Sequence, residues 1–359
     1  MDFSYLADIV LMVVYATILL GVLVLIHEAG HFFTARAFGV RVTEFMLGLP
    51  GPRIGFTFKG TRFGVTAVPL GGYAKVCGME AGKMSPYLEP VLEMVYRRGT
   101  VNMEEVAAYL GISHDDALAA LDELVEWGSI AGPERRDKFN TYRAPAVKGV
   151  CALGEGRPID DVHALYESEY RQQYRNLPFW KRSVILLAGI IVNLLFAMLL
   201  FVVIYSLIGF DMQDPQTGAI MHVTVDPLRA IGAGFNYIGM VIMAVASLFN
   251  PMTAAETVSN STSVMGIAVM SKVAAEQGLV TFLGFMSMIS VSLGIMNLIP
   301  IPPLDGGRFI VEVFQKLSRK VVSTRAMNYL SLAGLALFIG LFVVMINQDI
   351  QRFIFGNWG

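Results

Sequence analysis

Gly21-Val22-Leu23-Val24-Leu25-Ile26-His27-Glu28-Ala29-Gly30-His31 closes an uncharged, apolar run that begins at Ile9, and this junction decides both the fold and the chemistry. On a helix, residues four apart lie one turn apart on one face. His27 and His31 can therefore reach a single Zn²⁺, with Glu28 placed to take a proton from water. The run before them is long enough to cross a bilayer. Ionisable groups beside a hydrocarbon core are costly to hold, so three within five positions mark a functional site.

Apolar residues make up 55% of the 359-residue chain and charged residues only 16%, against about 25% charged in soluble domains. This is the composition of an integral membrane protein. The net charge of −2 selects no partner, but the distribution of charge sorts the loops. Of the 27 Lys and Arg, 19 lie between Phe32 and Arg182, five between Ile301 and Asn328, and none between Gly209 and Leu228. By the positive-inside rule the first two regions are cytoplasmic and the third external. Met1 to Asp8 carries two Asp and no basic side chain, which fits the outside. No positive n-region with a cleavage site is visible, so the first apolar run reads as a retained span. Cys77 and Cys151 fall in the inferred cytoplasmic segment, where a structural disulfide is not expected.

Four segments qualify as spans: about Ile9 to Phe33, Val184 to Ile208, Leu279 to Ile299 and Leu330 to Ile346. Phe235 to Phe249 and Ser263 to Ala275 are shorter, and read as helices at the external interface. Four crossings place both termini outside. The first and third spans then both run inward and bring His27, His31 and Leu304-Asp305-Gly306-Gly307 to one depth. A catalytic zinc takes three protein ligands and keeps a fourth position open, and Asp305 would complete such a set. Asp305 is also suited to N-cap a helix from Gly306 to Leu317. His114, His163 and His222 have no partner at metal spacing.

The helix ending in His27 to His31, Pro69-Leu70-Gly71-Gly72-Tyr73, Ala188-Gly189 to Asn193, and Asn297-Leu298-Ile299-Pro300 followed by Leu304 to Gly307 together resemble a bacterial site-2 protease. The resemblance covers residues 1 to 80 and about 176 to 350. It implies an intramembrane zinc metalloprotease of the bacterial plasma membrane that cuts single-span membrane proteins in regulated proteolysis. It also implies His27, His31 and Asp305 as zinc ligands, Glu28 as general base, and Asn297 and Asn193 near substrate. Val42 to Val76 alternates β-branched or aromatic residues with Gly and Pro around a Lys59-Gly60 turn, which reads as β-hairpins. In the resembling family such a hairpin dips into the membrane and its edge strand pairs with unwound substrate. That makes Val65, Thr66, Ala67, Gly71 and Gly72 candidate substrate contacts. Two departures stand out: Gly209 to Leu228 leaves no room for an external PDZ domain, and the frequent Gly-Pro of the second span is Gly189-Ile190.

Ser85 to Pro145 is an insertion with its own pattern. Leu88 to Arg98, a helix opened by Val101 to Val106, the Gly111-Ile112-Ser113 turn, the helix His114 to Trp127 and a wing from Ile130 to Tyr142 resemble a winged helix. The segment holds eleven Asp and Glu against six Lys and Arg. Such a face repels phosphates, so a cytoplasmic protein partner is expected and no nucleic acid. The expected organisation is a zinc helix and hairpin region over 1–80, the insert over 81–148, a linker over 149–180 and a membrane core over 181–359. The fold class is thus membrane α-helical, with about four spans, a membrane-dipping β-hairpin and a small α/β insert. The opposing reading, a non-catalytic receptor that signals through the insert, is disfavoured by the intact His27, Glu28, His31 and Asp305.

Overall fold

The computed structural model describes residues 3–68, 71–134, 137–147, 149–213, 218–353 and 355. Pro69 and Leu70 of the motif quoted above lie outside them. In chain order the elements are α1 (Phe3–Ala37), β1 (Val42–Leu47), β2 (Arg53–Phe58), β3 (Thr61–Thr66), β4 (Gly72–Val76), α2 (Leu88–Arg98), β5 (Thr100–Val101), α3 (Met103–Leu110), α4 (His114–Glu126), β6 (Tyr142–Arg143) and α5 (Val162–Tyr170). There follow α6 (Phe179–Val202), β7 (Phe210–Gln213), β8 (Ile220–Val223), α7 (Pro227–Ser247), α8 (Ala254–Asn260), α9 (Val264–Glu276), α10 (Leu279–Asn297), α11 (Asp305–Ser318) and α12 (Thr324–Phe353).

Five helices among the described residues are long and apolar enough to cross a membrane: α1, α6 with its π-helical continuation to Ile208, α7, α10 and α12. This is a multi-pass membrane protein. Helix α6 packs along both α1 and α10 and forms the centre of the bundle. Between α6 and α7 the described chain forms only the short β7–β8 hairpin.

The expectation of a short interfacial helix from Phe235 is corrected by α7, which starts eight residues earlier and runs for 21. Asp226 caps it by accepting from the Leu228 N–H, and Pro227 occupies the first turn, where its missing N–H has no cost. Its start is tied to the end of the second span, where the Val225 N–H donates to the Tyr205 carbonyl at 2.9 Å. Further along, Tyr237, Ile238, Val241 and Val245 pack on Ala197, Phe201, Val291 and Ile295 of α6 and α10. After α8, helix α9 returns along α1, and its Lys272 pairs with Asp8 in the first turns of α1 at 3.1 Å.

Residues 42–76 form a four-stranded sheet in the order β2-β3-β1-β4. The β2–β3 hairpin turns through Lys59 and Gly60 at φ 47° and 80°, the left-handed pair that a two-residue hairpin demands. Strands β1 and β3 pair in parallel, and β4 closes the sheet antiparallel to β1 with a bulge between Val42 and Glu44. Strand β3 therefore has a neighbour on each side. Val65 and Thr66 are thus not on the edge strand expected of them, and the edges of the sheet are β4 and β2. All six residues of β2, the other edge, are exposed, Ile54 at 87% and Phe56 at 67%.

The insert buries its own core, with Leu88, Leu92, Leu121, Leu124 and Trp127 at its centre. Asn102 and Glu105 form a reciprocal capping box on α3, and Ser113 caps α4, so each helix starts where its side chains satisfy the first N–H groups. Strands β5 and β6 pair, and Ala131 bridges Arg143. The expected linker is part of this body: Leu165, Tyr166 and Tyr170 of α5 pack on the same core, and the Arg157 N–H donates to the Tyr96 carbonyl at 2.8 Å. Cys77 and Cys151 are both free.

Candidate metal centre

Helices α1, α6 and α11 converge on three side chains. His27 Nε2 and His31 Nε2 stand 3.3 Å apart, and Asp305 Oδ2 lies 3.0 Å from the first and 3.1 Å from the second. Among the described residues this is the one group of three His, Cys, Asp or Glu side chains drawn together closely enough to hold a cation. Asp305 is the first residue of α11 rather than its N-cap, and its side chain faces the histidines while the helix N-terminus sits beside its charge.

The hydrogen bonds around the cluster tell what it can hold. A backbone carbonyl only accepts, so the 2.8 Å contact of His31 Nδ1 with the Ile185 carbonyl puts a ring proton on Nδ1, and in the neutral ring Nε2 then offers its lone pair. His27 Nδ1 faces the amide of Asn193 at 3.2 Å, and Asn193 Oδ1 is buried without a partner. With the amide turned over, Oδ1 accepts from the His27 Nδ1–H and His27 Nε2 is bare as well. Two nitrogen lone pairs and a carboxylate oxygen then meet in a nearly closed space. Leaving such a charge uncompensated costs several kcal/mol. A cation removes that cost, and two imidazoles with one carboxylate are a catalytic zinc set with one position open.

Glycine makes the approach of the helices possible. A Cβ on Gly189 would lie 2.5 Å from His31 Nε2 and 2.7 Å from His27 Nε2, and one on Gly30 would lie 2.7 Å from the Ala188 carbonyl. In the sequence Gly189 stands out as part of the Ala188-Gly189 to Asn193 stretch and for the missing proline beside it. Its contact with both imidazoles is a property of two helices and leaves no periodic signal in one.

Glu28 points to the sheet, where its Oε2 accepts from the Ala74 N–H of β4 at 2.9 Å. Gly71 and Cys77 use their backbone toward the β1 side, the Gly71 carbonyl accepting from Gly48 and the Cys77 N–H donating to Arg41. Ala74 faces the opposite way, so Glu28 occupies a donor on the free edge of the sheet. Gly72 allows the approach, since a Cβ there would meet Val24, the Met46 carbonyl and Glu28 at 2.8 to 3.3 Å. A cavity of about 1060 Å³ opens from Glu28, His31 and Asp305 along β4 toward Arg175 and Arg182.

The other expected contacts are placed differently. Asn193 is fully buried, with its amide 3.2 Å from His27 Nδ1. Asn297 is half-buried at the end of α10, with its Nδ2 on the Leu293 carbonyl. The Thr66 hydroxyl turns back to the Leu47 and Val68 carbonyls, and the Ala67 N–H is taken by Pro52.

A bundle of membrane-length helices with a carboxylate beside a buried three-donor cation site defines a membrane metalloprotease. The chain belongs to peptidase family M50, the site-2 proteases, whose profile matches residues 15–341. Relatives carrying the name "putative zinc metalloprotease" include one from Campylobacter jejuni, 26% identical over 94% of this chain and 93% of its own length. One from Clostridium acetobutylicum is also 26% identical, over 94% and 97% of the two chains, and one from Staphylococcus aureus is 23% identical over 98% and 99%. The protein is a zinc metalloprotease.

Proposed function

We propose that this chain is an intramembrane endopeptidase that cuts single-span proteins within their transmembrane segments in regulated proteolysis. The observation that carries this is the position of the His27, His31 and Asp305 cluster between membrane-length helices, with an open strand edge beside it. His27, His31 and Asp305 would hold the zinc, which when bound would supply Lewis acidity toward a peptide carbonyl and acidify water. Glu28 takes the proton of the attacking water and returns it to the leaving amine. A transmembrane helix hides its carbonyls in its own hydrogen bonds, so it must unwind before cleavage, and the free edge of β4 supplies replacement partners. The exposed Ile54, Phe56 and Phe58 of β2 suit contact with lipid.

In liposomes carrying a single-span substrate, mass spectrometry should map the cut inside the apolar segment. Ala74→Pro removes the donor that Glu28 uses at a strand edge, where proline is tolerated. It should lower cleavage about 10- to 100-fold while zinc stays bound. Normal cleavage by this variant would show that the Ala74 N–H does not set the position of Glu28.

The membrane is the bacterial plasma membrane, with the insert in the cytoplasm and both termini external. The inward packing of α7 and the return of α9 to Asp8 support a hairpin that enters and leaves on one side, which keeps the count of full crossings even. Cysteines introduced at Gln213 should then react with an impermeant thiol reagent outside intact cells, and ones at Asp137 should not. The reverse pattern would overturn this orientation. The order of α2, β5, α3, α4 and the bridged β6 supports a winged-helix insert. Asp122, Glu123 and Glu126 of α4 accept from Tyr142, Ser85 and residues 78–80, which supports a role for that helix in protein contacts rather than on DNA.

A further inference from the structure

The insert grips the catalytic half at a buried junction, and the groups there lie at one end of the β1–β4 pair. Glu126 Oε1, at the end of α4, accepts from the N–H groups of Gly78, Met79 and Glu80 at 2.8, 3.1 and 3.4 Å. Those residues follow β4 with only Cys77 between. Gly78 has φ +74°, and a Cβ there would lie 2.9 Å from Gln173 Cβ, so the loop is shaped for this close approach. On the other strand, Arg41 leads into β1 and donates to the Gly128 carbonyl at 2.9 Å, to Glu169 at 2.7 Å and to Gln172 at 3.0 Å. Glu169 is fixed in turn by the Ser129 hydroxyl at 2.6 Å. The Cys77 N–H donates to the Arg41 carbonyl at 3.0 Å, which ties the two sides of the clamp together.

We propose that Glu126 is a positioning residue of the protease: by holding the backbone of Gly78 to Glu80 it fixes β4, and so sets where Ala74 holds Glu28 and where a substrate strand pairs. This rests on the reading of Glu28 and β4 given above. An edge strand has a ladder on one side only, so its place depends on what holds its ends. One carboxylate oxygen shared by three N–H groups is a strong anchor, and Cys77 beneath it is fully buried. Burial, with Glu80 nearby, pushes the Glu126 carboxyl up to about 7, while Arg175 opposes the rise. A neutral side chain with an acceptor oxygen can therefore serve in its place, and one without an acceptor cannot.

The test uses the full-length, zinc-loaded protein in liposomes with a single-span substrate. Glu126→Ala should lower kcat about 10- to 100-fold, leave bound zinc unchanged, and speed hydrogen exchange at the β4 amides relative to those of α2. Glu126→Gln should restore most of the rate and the protection. Arg41→Gln, which opens the other side of the clamp, should give the same exchange pattern and carries the test if Glu126→Ala does not fold. Wild-type β4 exchange in the Ala variant, or a Gln variant as impaired as Ala, would overturn the proposal. Absence of cleavage by the wild type would instead overturn the reading of the site on which it rests.

Discussion

Glu28→Gln keeps about one zinc per chain and lowers cleavage of a single-span substrate by about 10² to 10⁴, the range of a lost general base. The amide is the same shape as the carboxylate, and its oxygen can still accept from the Ala74 N–H. What it loses is the ability to take a proton. His31→Ala and Asp305→Ala should lose metal and activity together, because each removes one of three donors. Metal analysis of the purified variants beside a cleavage assay separates the two outcomes. Full peptidase activity in Glu28→Gln would defeat the assignment of the base.

Gly189→Ala should weaken zinc binding by about 10- to 100-fold, the scale seen when groups that support metal ligands are disturbed. One methyl group is enough, because it must sit within 2.7 Å of both imidazoles while α6 is held against α1 at Gly30. The rings or the helices must move. Gly21→Ala on α1 is the matched control, since nothing lies within 4 Å of its added Cβ. Zinc retained after dialysis against a chelator, with helical content followed by circular dichroism, gives the result. Equal retention in the two variants would show that α6 does not set the geometry of the site.

The residues that were legible beforehand are those whose chemistry is local or follows from the direction of a span. His27, Glu28 and His31 share one helix, and Asp305 was placed by reasoning that two spans run the same way. The Lys59-Gly60 turn, the helix opened by Val101 to Val106 and the start of α4 after Ser113 are short-range signals, and they appear where expected. Strand order is different. The parallel contact of β1 with β3 passes over the hairpin partner β2, so nothing near Val65 tells that its strand is interior to the sheet while the strand of Ala74 is at an edge. Helix α7 could have been read more fully, because Asp226-Pro227 is a start signal in plain view. Asn193 shows the reverse: its motif is visible in the sequence, but the contact of its amide with His27 exists only in the packed bundle.

The Tyr174 N–H donates to the Cys77 carbonyl at 2.9 Å, so the chain leaves the catalytic half and comes back to it at a single point. Everything from Gly78 to Gln173 is a closed excursion with adjacent ends. The two ends of this excursion are held at hydrogen-bonding distance by the catalytic half itself. The cost of losing it falls on Arg41, whose guanidinium would be stripped of its partners on the insert side. Modularity in this chain is therefore topologically free and electrostatically constrained.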